Sequence, residues 1–164
     1  PDMEQHFGLL EQTIGLVRAS RVLLNYPPGQ QITFYVSHNE PQRQRHLEQL
    51  QKYLTHLGRG TVDLTSTTTW PTDNLLRLVA EGLSVGIVVT GEVDLNKALD
   101  RILKEQSEQT KEIGRLEGKL GNQEFVAKAP PEVITDHQDR LTSLRRDQAM
   151  LANSEQQLRA MLGG

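Results

Sequence analysis

Six basic side chains in one predicted helix have the type and spacing that most favour binding chemistry. The helix follows Asp94, and at about 100° per residue the six fall within a stripe about 80° wide, roughly opposite its apolar face. The stripe consists of Lys97, Arg101, Lys104, Lys111, Arg115 and Lys119. Two interpretations are open. The stripe is either a solvated face braced by pairs such as Arg101–Glu105, or a track whose cations displace counterions from a phosphate backbone.

A second candidate is the segment that follows this helix. Phe125-Val126-Ala127-Lys128-Ala129-Pro130 lies where two long helices are expected to turn. Apolar residues at such a tip can close the end of the apolar seam, with Pro130 and Pro131 starting the next helix. They can instead contact a flat partner surface such as unstacked or tertiary-paired bases. The pattern alone leaves both interpretations open.

No catalytic or metal chemistry is indicated elsewhere. The sequence lacks a glycine-rich phosphate loop with a following lysine, and it lacks a nucleophile elbow. Trp70, the single tryptophan, is expected to cap a core rather than to bind a ligand. The histidines have no metal-ligand spacing with a carboxylate and are interpreted as packing or solvated residues. They are His6, His38, His46, His56 and His137. We therefore predict no catalytic residue, no metal site and no cofactor in this chain.

The composition limits the class of protein. Of 164 residues, 36% are hydrophobic and only 4% aromatic, which fits a chain partly drawn out as a coiled coil with a narrow core. The net charge of −3 provides no global positive field, so anion binding requires a local patch. The absence of cysteine excludes disulfides and thiol chemistry and is compatible with a cytoplasmic location. No signal peptide or long apolar run is present, so no membrane is expected. The first residue is Pro1, which indicates a trimmed chain or a piece of a longer protein.

Hydrophobic periodicity predicts an α+β fold in two parts. The first is a small α/β layer, a short sheet with a helix across one face. Its expected hairpin turns at Glu81-Gly82. The predicted elements are a helix over 9–25, a strand over 32–36, a helix over 41–57, a strand over 61–65, a loop over 66–73 and strands over 75–79 and 85–89.

The second part is predicted to be a long antiparallel two-helix coiled-coil hairpin. Two runs of seam positions repeat at heptad spacing on either side of a short connector. They are Leu95, Leu99, Ile102, Gln106, Gln109, Ile113, Leu116 and Leu120, then Ile134, His137, Leu141, Leu144, Gln148, Leu151, Glu155, Leu158 and Leu162. Buried amides favour a register in which they satisfy one another. That register places Gln106 opposite Gln148 and Ile113 opposite Leu141.

The connector carries a resemblance to a known family. Gly118-Lys119-Leu120-Gly121-Asn122, then Phe125-Val126-Ala127-Lys128-Ala129-Pro130 and Glu132-Val133, resemble the signature of the C-terminal arm of valyl-tRNA synthetases. Upstream, Val17–Arg21 and Tyr26–Gly29 resemble the helix and turn that leave that family's helical anticodon-binding domain. The resemblance covers essentially the whole chain.

This resemblance implies a domain organisation and a set of partners. Residues 1–29 would be the tail of the anticodon-binding domain, 30–91 an α/β connector, and 92–164 a tRNA-binding arm that leans on the tRNA elbow. The parent would be a class I ligase that uses ATP, with magnesium, to join valine to its tRNA. Its active sites would lie outside this chain. The expected partners are valine-accepting tRNA and the rest of the synthetase, with no membrane and no DNA. Phe125 and Lys128 then join the six stripe residues as candidate tRNA contacts.

Two other functions stay open at this point. The arm could be a structural or protein-docking element without an RNA role. The module could also have been recruited away from the synthetase to act alone.

Overall fold

A four-stranded mixed sheet is the centre of the computed structural model, which describes residues 2–163. The expectation drawn from Pro1 lies outside these residues. The strand order is β2-β1-β4-β3, with β1 parallel to β2 and β4 antiparallel to both of its neighbours. The strands are β1 (Ile32–His38), β2 (Gly60–Asp63), β3 (Leu75–Ala80) and β4 (Leu83–Val88). The predicted order of strand, helix, strand and hairpin is therefore confirmed.

Helices precede, cross and follow this sheet. They are α1 (Asp2–Leu24), α2 (Pro41–Gln49), α3 (Gln51–Gly58), α4 (Leu95–Leu120), α5 (Gln123–Lys128) and α6 (Pro131–Gly163), with a 3₁₀ turn at Thr67–Thr69. The prediction of one helix over 41–57 is wrong at Leu50. There the backbone takes φ −93° and ψ 5°, and the Leu50 N–H donates to the carbonyls of both His46 and Leu47. This local tightening separates α2 from α3.

Two glycines allow the β1–α2–α3–β2 crossover to pack closely. A Cβ at Gly58 would lie 2.6 Å from Cζ of Phe34, a fully buried ring. A Cβ at Gly60 would overlap the carbonyl oxygen of Ile32, its partner in the parallel ladder. The close approach of β2 to β1 therefore requires glycine at its first position.

The hairpin and the tryptophan lie where the sequence predicted. Glu81 and Gly82 have φ of 51° and 85° and connect β3 to β4, which is the conformation of a tight two-residue hairpin turn. Trp70 is 4% exposed, and its indole Nε1 donates to the Thr65 carbonyl at 3.0 Å. Its ring packs against β4 at Gly86, so it caps the sheet.

One continuous core joins α1, the sheet, and the ends of the two long helices. Leu9 and Val17 of α1, Ala98 and Ile102 of α4 and Leu158 of α6 all belong to it. The outer edge of β3 is held by α6 as well. The Gln157 side chain donates to the carbonyl of Arg77 and accepts from its N–H, both at 2.7 Å. The amide of Gln157 thus replaces one strand pairing at this edge.

Helices α4 and α6 pack along each other in opposite directions. Gln106 bonds Glu155, whereas Glu117, further along α4, pairs with Arg145, earlier in α6. The predicted register is wrong. Gln106 donates to Glu155 rather than meeting Gln148, and Gln148 donates to Thr110, one turn further along α4.

The physical reason for this error lies at the C-terminal end of α6. Beyond Leu151 the buried positions are Ser154 and Leu158, while Leu162 is 41% exposed. This part of α6 packs on β3 and the main core, not on α4 alone. The position of α6 is therefore set by the core, and Gln106 finds a charged acceptor in place of a second amide.

A buried histidine at the end of β1 makes stability depend on pH. His38 is 6% exposed, and its Nδ1 accepts the Glu40 N–H at 3.0 Å. No group within residues 2–163 bonds its buried Nε2. Burial lowers the pKa of His38 below its ordinary value of 6.5; Glu40 opposes this shift and Arg43 adds to it.

We expect the His38→Asn variant to have a flatter pH profile of stability. Because the folded pKa is the lower one, the unfolded chain binds more protons, and stability falls as pH drops below about 6.5 towards the folded pKa. Asparagine keeps an acceptor for the Glu40 N–H but does not titrate. Urea denaturation between pH 5 and pH 8 measures the difference. An identical pH slope in both proteins would contradict this assignment.

Candidate nucleic-acid interface

The basic stripe lies along α4, but its first part has a structural contact. Arg101 is half-buried, and its Nη1 donates to the carbonyl of Leu23 at 2.7 Å. Leu23 is in the last turn of α1, where backbone carbonyls have no helical partner. The suggested brace between Arg101 and Glu105 is therefore wrong, because Arg101 connects α4 to α1.

Three lysines of the stripe have side chains that are free to bind an anion. Lys97, Lys104 and Lys111 are exposed. Within residues 2–163 their ammonium groups take part in no hydrogen bond or ion pair. Lys104 and Lys111 lie two turns apart on α4 and face solvent. Together with Lys97, they are residues of the stripe that a phosphate could reach without displacing a partner.

Arg115 shares its charge with a neighbour. Its Nη2 and Nε bond the two carboxylate oxygens of Glu112 at 2.6 and 3.0 Å. These hydrogen bonds lower the pKa of Glu112 and raise that of Arg115. Arg115 is half exposed, so it can contact an anion, but its pairing with Glu112 reduces the local positive potential.

The tip contains a short helix within the connector expected between the two long helices. Helix α5 begins after Asn122, whose side chain accepts the N–H groups of Glu124 and Phe125 at 3.0 and 3.3 Å. Asparagine is a preferred N-cap residue, and this signal was present in the sequence. α5 fixes the orientation of Phe125 and Lys128.

Phe125 closes the seam and also organises the tip. Its ring lies 5.7 Å from that of His137 on α6, and the Lys119 ammonium lies 5.8 Å from it. The ring is half-buried, as expected for closure of the seam. The last stripe lysine is thereby held beside an aromatic face, in a cation–π arrangement.

The outer face of the tip is open. Val126 is 41% exposed, and Lys128 is exposed with Glu124 at 3.2 Å. A shallow groove runs between α5 and the start of α6, bounded by Pro130 and Val133. The tip therefore presents a small apolar surface with a cation at its rim.

A polar layer separates the tip from the main core. Ile113, Leu116, Leu141 and Leu144 form a distal apolar cluster of their own. Between it and the core lies Gln109, which is 7% exposed and whose Oε1 has no partner within the described chain. The outer arm is thus positioned by a small local core.

Residues 2–163 contain no group of three or more His, Asp or Glu side chains placed to hold a metal ion. No helix in this range is long and apolar enough to cross a membrane. The arrangement can bind an anionic partner along α4 and present a small apolar surface at the tip.

Comparison with known proteins agrees with the resemblance seen in the connector. Residues 94–159 match the family model described as the valyl tRNA synthetase tRNA binding arm. The chain is 30% identical over 164 residues to a valine–tRNA ligase of Nitratidesulfovibrio vulgaris, with 97% of this chain aligned. It is 31% identical over 139 residues to that of Prochlorococcus marinus and 29% identical over 136 residues to that of Oceanobacillus iheyensis, with 85% and 83% of the chain aligned.

These matches concern a part of the relatives. The chain spans 18% of the length of the Nitratidesulfovibrio protein and 15% of the other two. The aligned part is the C-terminal region of these relatives.

Proposed function

Because this chain belongs to the valyl-tRNA synthetase family, with the family's tRNA-binding arm at residues 94–159, we propose that it is the non-catalytic tRNA-binding module of a valine–tRNA ligase. The match of the arm carries this proposal. Exposed cations along α4 and an open apolar tip support it, because backbone binding needs spaced positive charges.

The proposed module has three parts. Residues 1–29 form the tail of a helical anticodon-binding domain, 30–91 form a connector, and 92–164 form the arm. In the arm, α4 and α6 wind as an antiparallel coiled coil, which the distal cluster and the opposed direction of their contacts support. The tail shares its core with the connector, so that the arm and the preceding domain would be coupled through α1.

The arm binds tRNA without chemistry. Lys97, Lys104 and Lys111 contact phosphates, while Lys119 and Lys128 lie beside the apolar tip. The exposed surface of Val126 and the groove below it meet the bases at the tRNA elbow. Such contacts recognise shape more than sequence, and they orient the tRNA on the rest of the enzyme.

The activity of the whole ligase is part of the same proposal. The parent joins valine to its tRNA with ATP and magnesium, in the cytoplasm. Residues 2–163 hold no cluster of three or more His, Asp or Glu side chains suited to a metal ion. This chain contributes substrate binding alone.

Neutralising two arm lysines is expected to weaken tRNA binding. In the Lys104→Gln, Lys111→Gln double variant, two phosphate contacts are lost. We expect affinity for valine-accepting tRNA to fall about tenfold at low salt, and the slope of log affinity against log salt to decrease by about 2. Fluorescence anisotropy of the full chain at several salt concentrations measures both. Arg115→Gln is expected to have a smaller effect, because Glu112 already offsets its charge.

The matched control removes two charges from the other arm helix. In Arg145→Gln, Arg146→Gln, both replaced residues are exposed and lie on α6, paired with Glu117 and Glu81. Its affinity should change less than twofold. Equal losses in both double variants would show that the loss depends only on net charge. Unchanged affinity in the lysine variant would favour a structural or protein-docking arm.

A further inference from the structure

A second concentration of positive charge lies away from the arm. Between Arg18 and Val62 the chain has six basic residues and two acidic ones. This segment carries a net charge of +4, in a chain whose total is −3. The basic residues are Arg18, Arg21, Arg43, Arg45, Lys52 and Arg59, and the acidic ones are Glu40 and Glu48. Only Arg43 of the six has an ion pair within the described residues.

Helical geometry brings part of this charge onto one face. The buried residues Leu47 and Leu54 turn one side of α2 and α3 towards the sheet. At about 100° per residue, Arg45, Lys52 and His56 fall within about 40° of one another on the opposite side. The Leu50 N–H bonds the His46 carbonyl, and the Leu54 N–H bonds the Leu50 carbonyl, so the hydrogen-bond ladder crosses the break. All three side chains are exposed.

Two arginines at the end of α3 reinforce this positive field. Arg21, 7% exposed, donates to the carbonyls of Pro27, Gly58 and Arg59 at 3.2, 2.8 and 2.7 Å. Arg59 donates to the carbonyl of Pro28 at 2.7 Å. Burial and then the charge of Arg59 lower the pKa of Arg21. Each of these acceptors is a neutral carbonyl, and within residues 2–163 no carboxylate pairs with Arg21 or Arg59.

An exposed aromatic ring flanks the face that carries Arg45 and Lys52. Tyr53 follows Lys52 and is 60% exposed. Helix α1 runs beside α3 in the same direction, since His6 contacts Gln49, just before α3, and Arg21 contacts Gly58 at the end of α3. The exposed Arg18 lies one turn before Arg21 in α1. We call Arg45, Lys52, Tyr53, His56 and Arg59 the α3 basic surface.

We propose that the α3 basic surface is a second RNA-contact surface, which binds the phosphate backbone of the tRNA held by the arm. Exposed cations without an ion pair, such as Arg45 and Lys52 on one helical face, bind phosphates, and the exposed tyrosine at the side of that face offers a plane for a base. A protein partner would need a complementary acidic face and would not use this ring in the same way. This inference rests on the proposed function of the arm and adds a contact on the connector.

The test compares two double variants of the full chain. We expect Arg45→Gln, Lys52→Gln to weaken binding of valine-accepting tRNA about fivefold and to reduce the salt slope by about 2. Within residues 2–163, neither side chain takes part in an ion pair. Combined with Lys104→Gln, Lys111→Gln, the losses should multiply, because both surfaces hold one RNA. Arg145→Gln, Arg146→Gln again serves as the charge-matched control.

Variants of Tyr53 test base stacking separately from charge. We expect Tyr53→Ala to weaken binding about threefold to tenfold at every salt concentration, without changing the salt slope, whereas Tyr53→Phe retains affinity. Unchanged affinity in both the Arg45/Lys52 and the Tyr53→Ala variants, with a clear loss in the arm variant, would overturn this inference and leave the proposed function intact. No loss in any of these variants would reject both.

Discussion

Replacing Gly60 by alanine is expected to lower the free energy of unfolding by about 3 kcal/mol. The new Cβ would overlap the carbonyl oxygen of Ile32. This neighbour is backbone within the β1–β2 ladder, so no side-chain rotation relieves the overlap. Relief requires β2 to move away from β1, and that would loosen the fully buried Phe34, whose ladder partner is Val62.

Urea denaturation followed by circular dichroism measures this loss. Gly91→Ala is the matched control, because a Cβ there meets nothing within 4 Å and its φ is not left-handed. We expect the control to unfold within about 0.5 kcal/mol of the parent chain. Coincident unfolding curves for the Gly60 and Gly91 variants would show that β2 moves to accommodate the Cβ without loss of stability.

The sheet could be predicted from sequence because its signal is local. β-branched and aromatic runs mark Ile32–His38 and the hairpin strands, and Glu81-Gly82 marks the turn. Helix α1 was predicted to start at residue 9 but begins at Asp2. Its first turns bury little, with Met3 86% and Phe7 61% exposed. Apolar periodicity therefore gave no signal there, although the helical backbone hydrogen bonds begin at these residues.

The helix pair was predictable in outline but not in register. Heptad spacing identifies which faces of α4 and α6 meet. It does not reveal that Leu158 belongs to the main core or that Glu155 can serve as the partner of Gln106. Those contacts depend on β3 and α1, which lie far away in sequence. Considered alone, the seam favours pairing of its glutamine side chains with one another. The contacts of α6 with the main core set a different register.

The candidate site, too, could be predicted only in part from the sequence. Helical spacing suffices to predict the stripe on α4. Which cations stay free depends also on a distant group, since Arg101 donates to the carbonyl of Leu23, whereas Arg115 pairs with Glu112 only three residues before it. The α3 basic surface was missed, although the spacing of Arg45, Lys52 and His56 was visible in the sequence. The sequence does not show that Arg21 lies beside this surface, where it donates to the carbonyls of Gly58 and Arg59 at the end of α3.

Replacing Leu116 by alanine is expected to destabilise the outer arm by about 3 kcal/mol. Leu116 is 2% exposed in the distal cluster, which also contains Ile113, Leu141 and Leu144. A cluster this small has few other contacts to compensate for the cavity. We expect faster amide hydrogen exchange over residues 110–145, with the sheet unchanged, because the polar layer around Gln109 separates the two cores.

Loss of tRNA affinity should accompany this local opening, although the stripe lysines are untouched. Lys119 is held over Phe125, which packs on His137, so an unfolded tip no longer presents its cations and apolar face together. The matched control lies two residues away in the same helix. Gly114→Ala meets no atom within 4 Å and is expected to stabilise α4 by about 1 kcal/mol through helix propensity, with affinity retained. If Leu116→Ala opened the arm but left affinity unchanged, the tip would not be an RNA contact, and binding would depend on the proximal lysines and the connector.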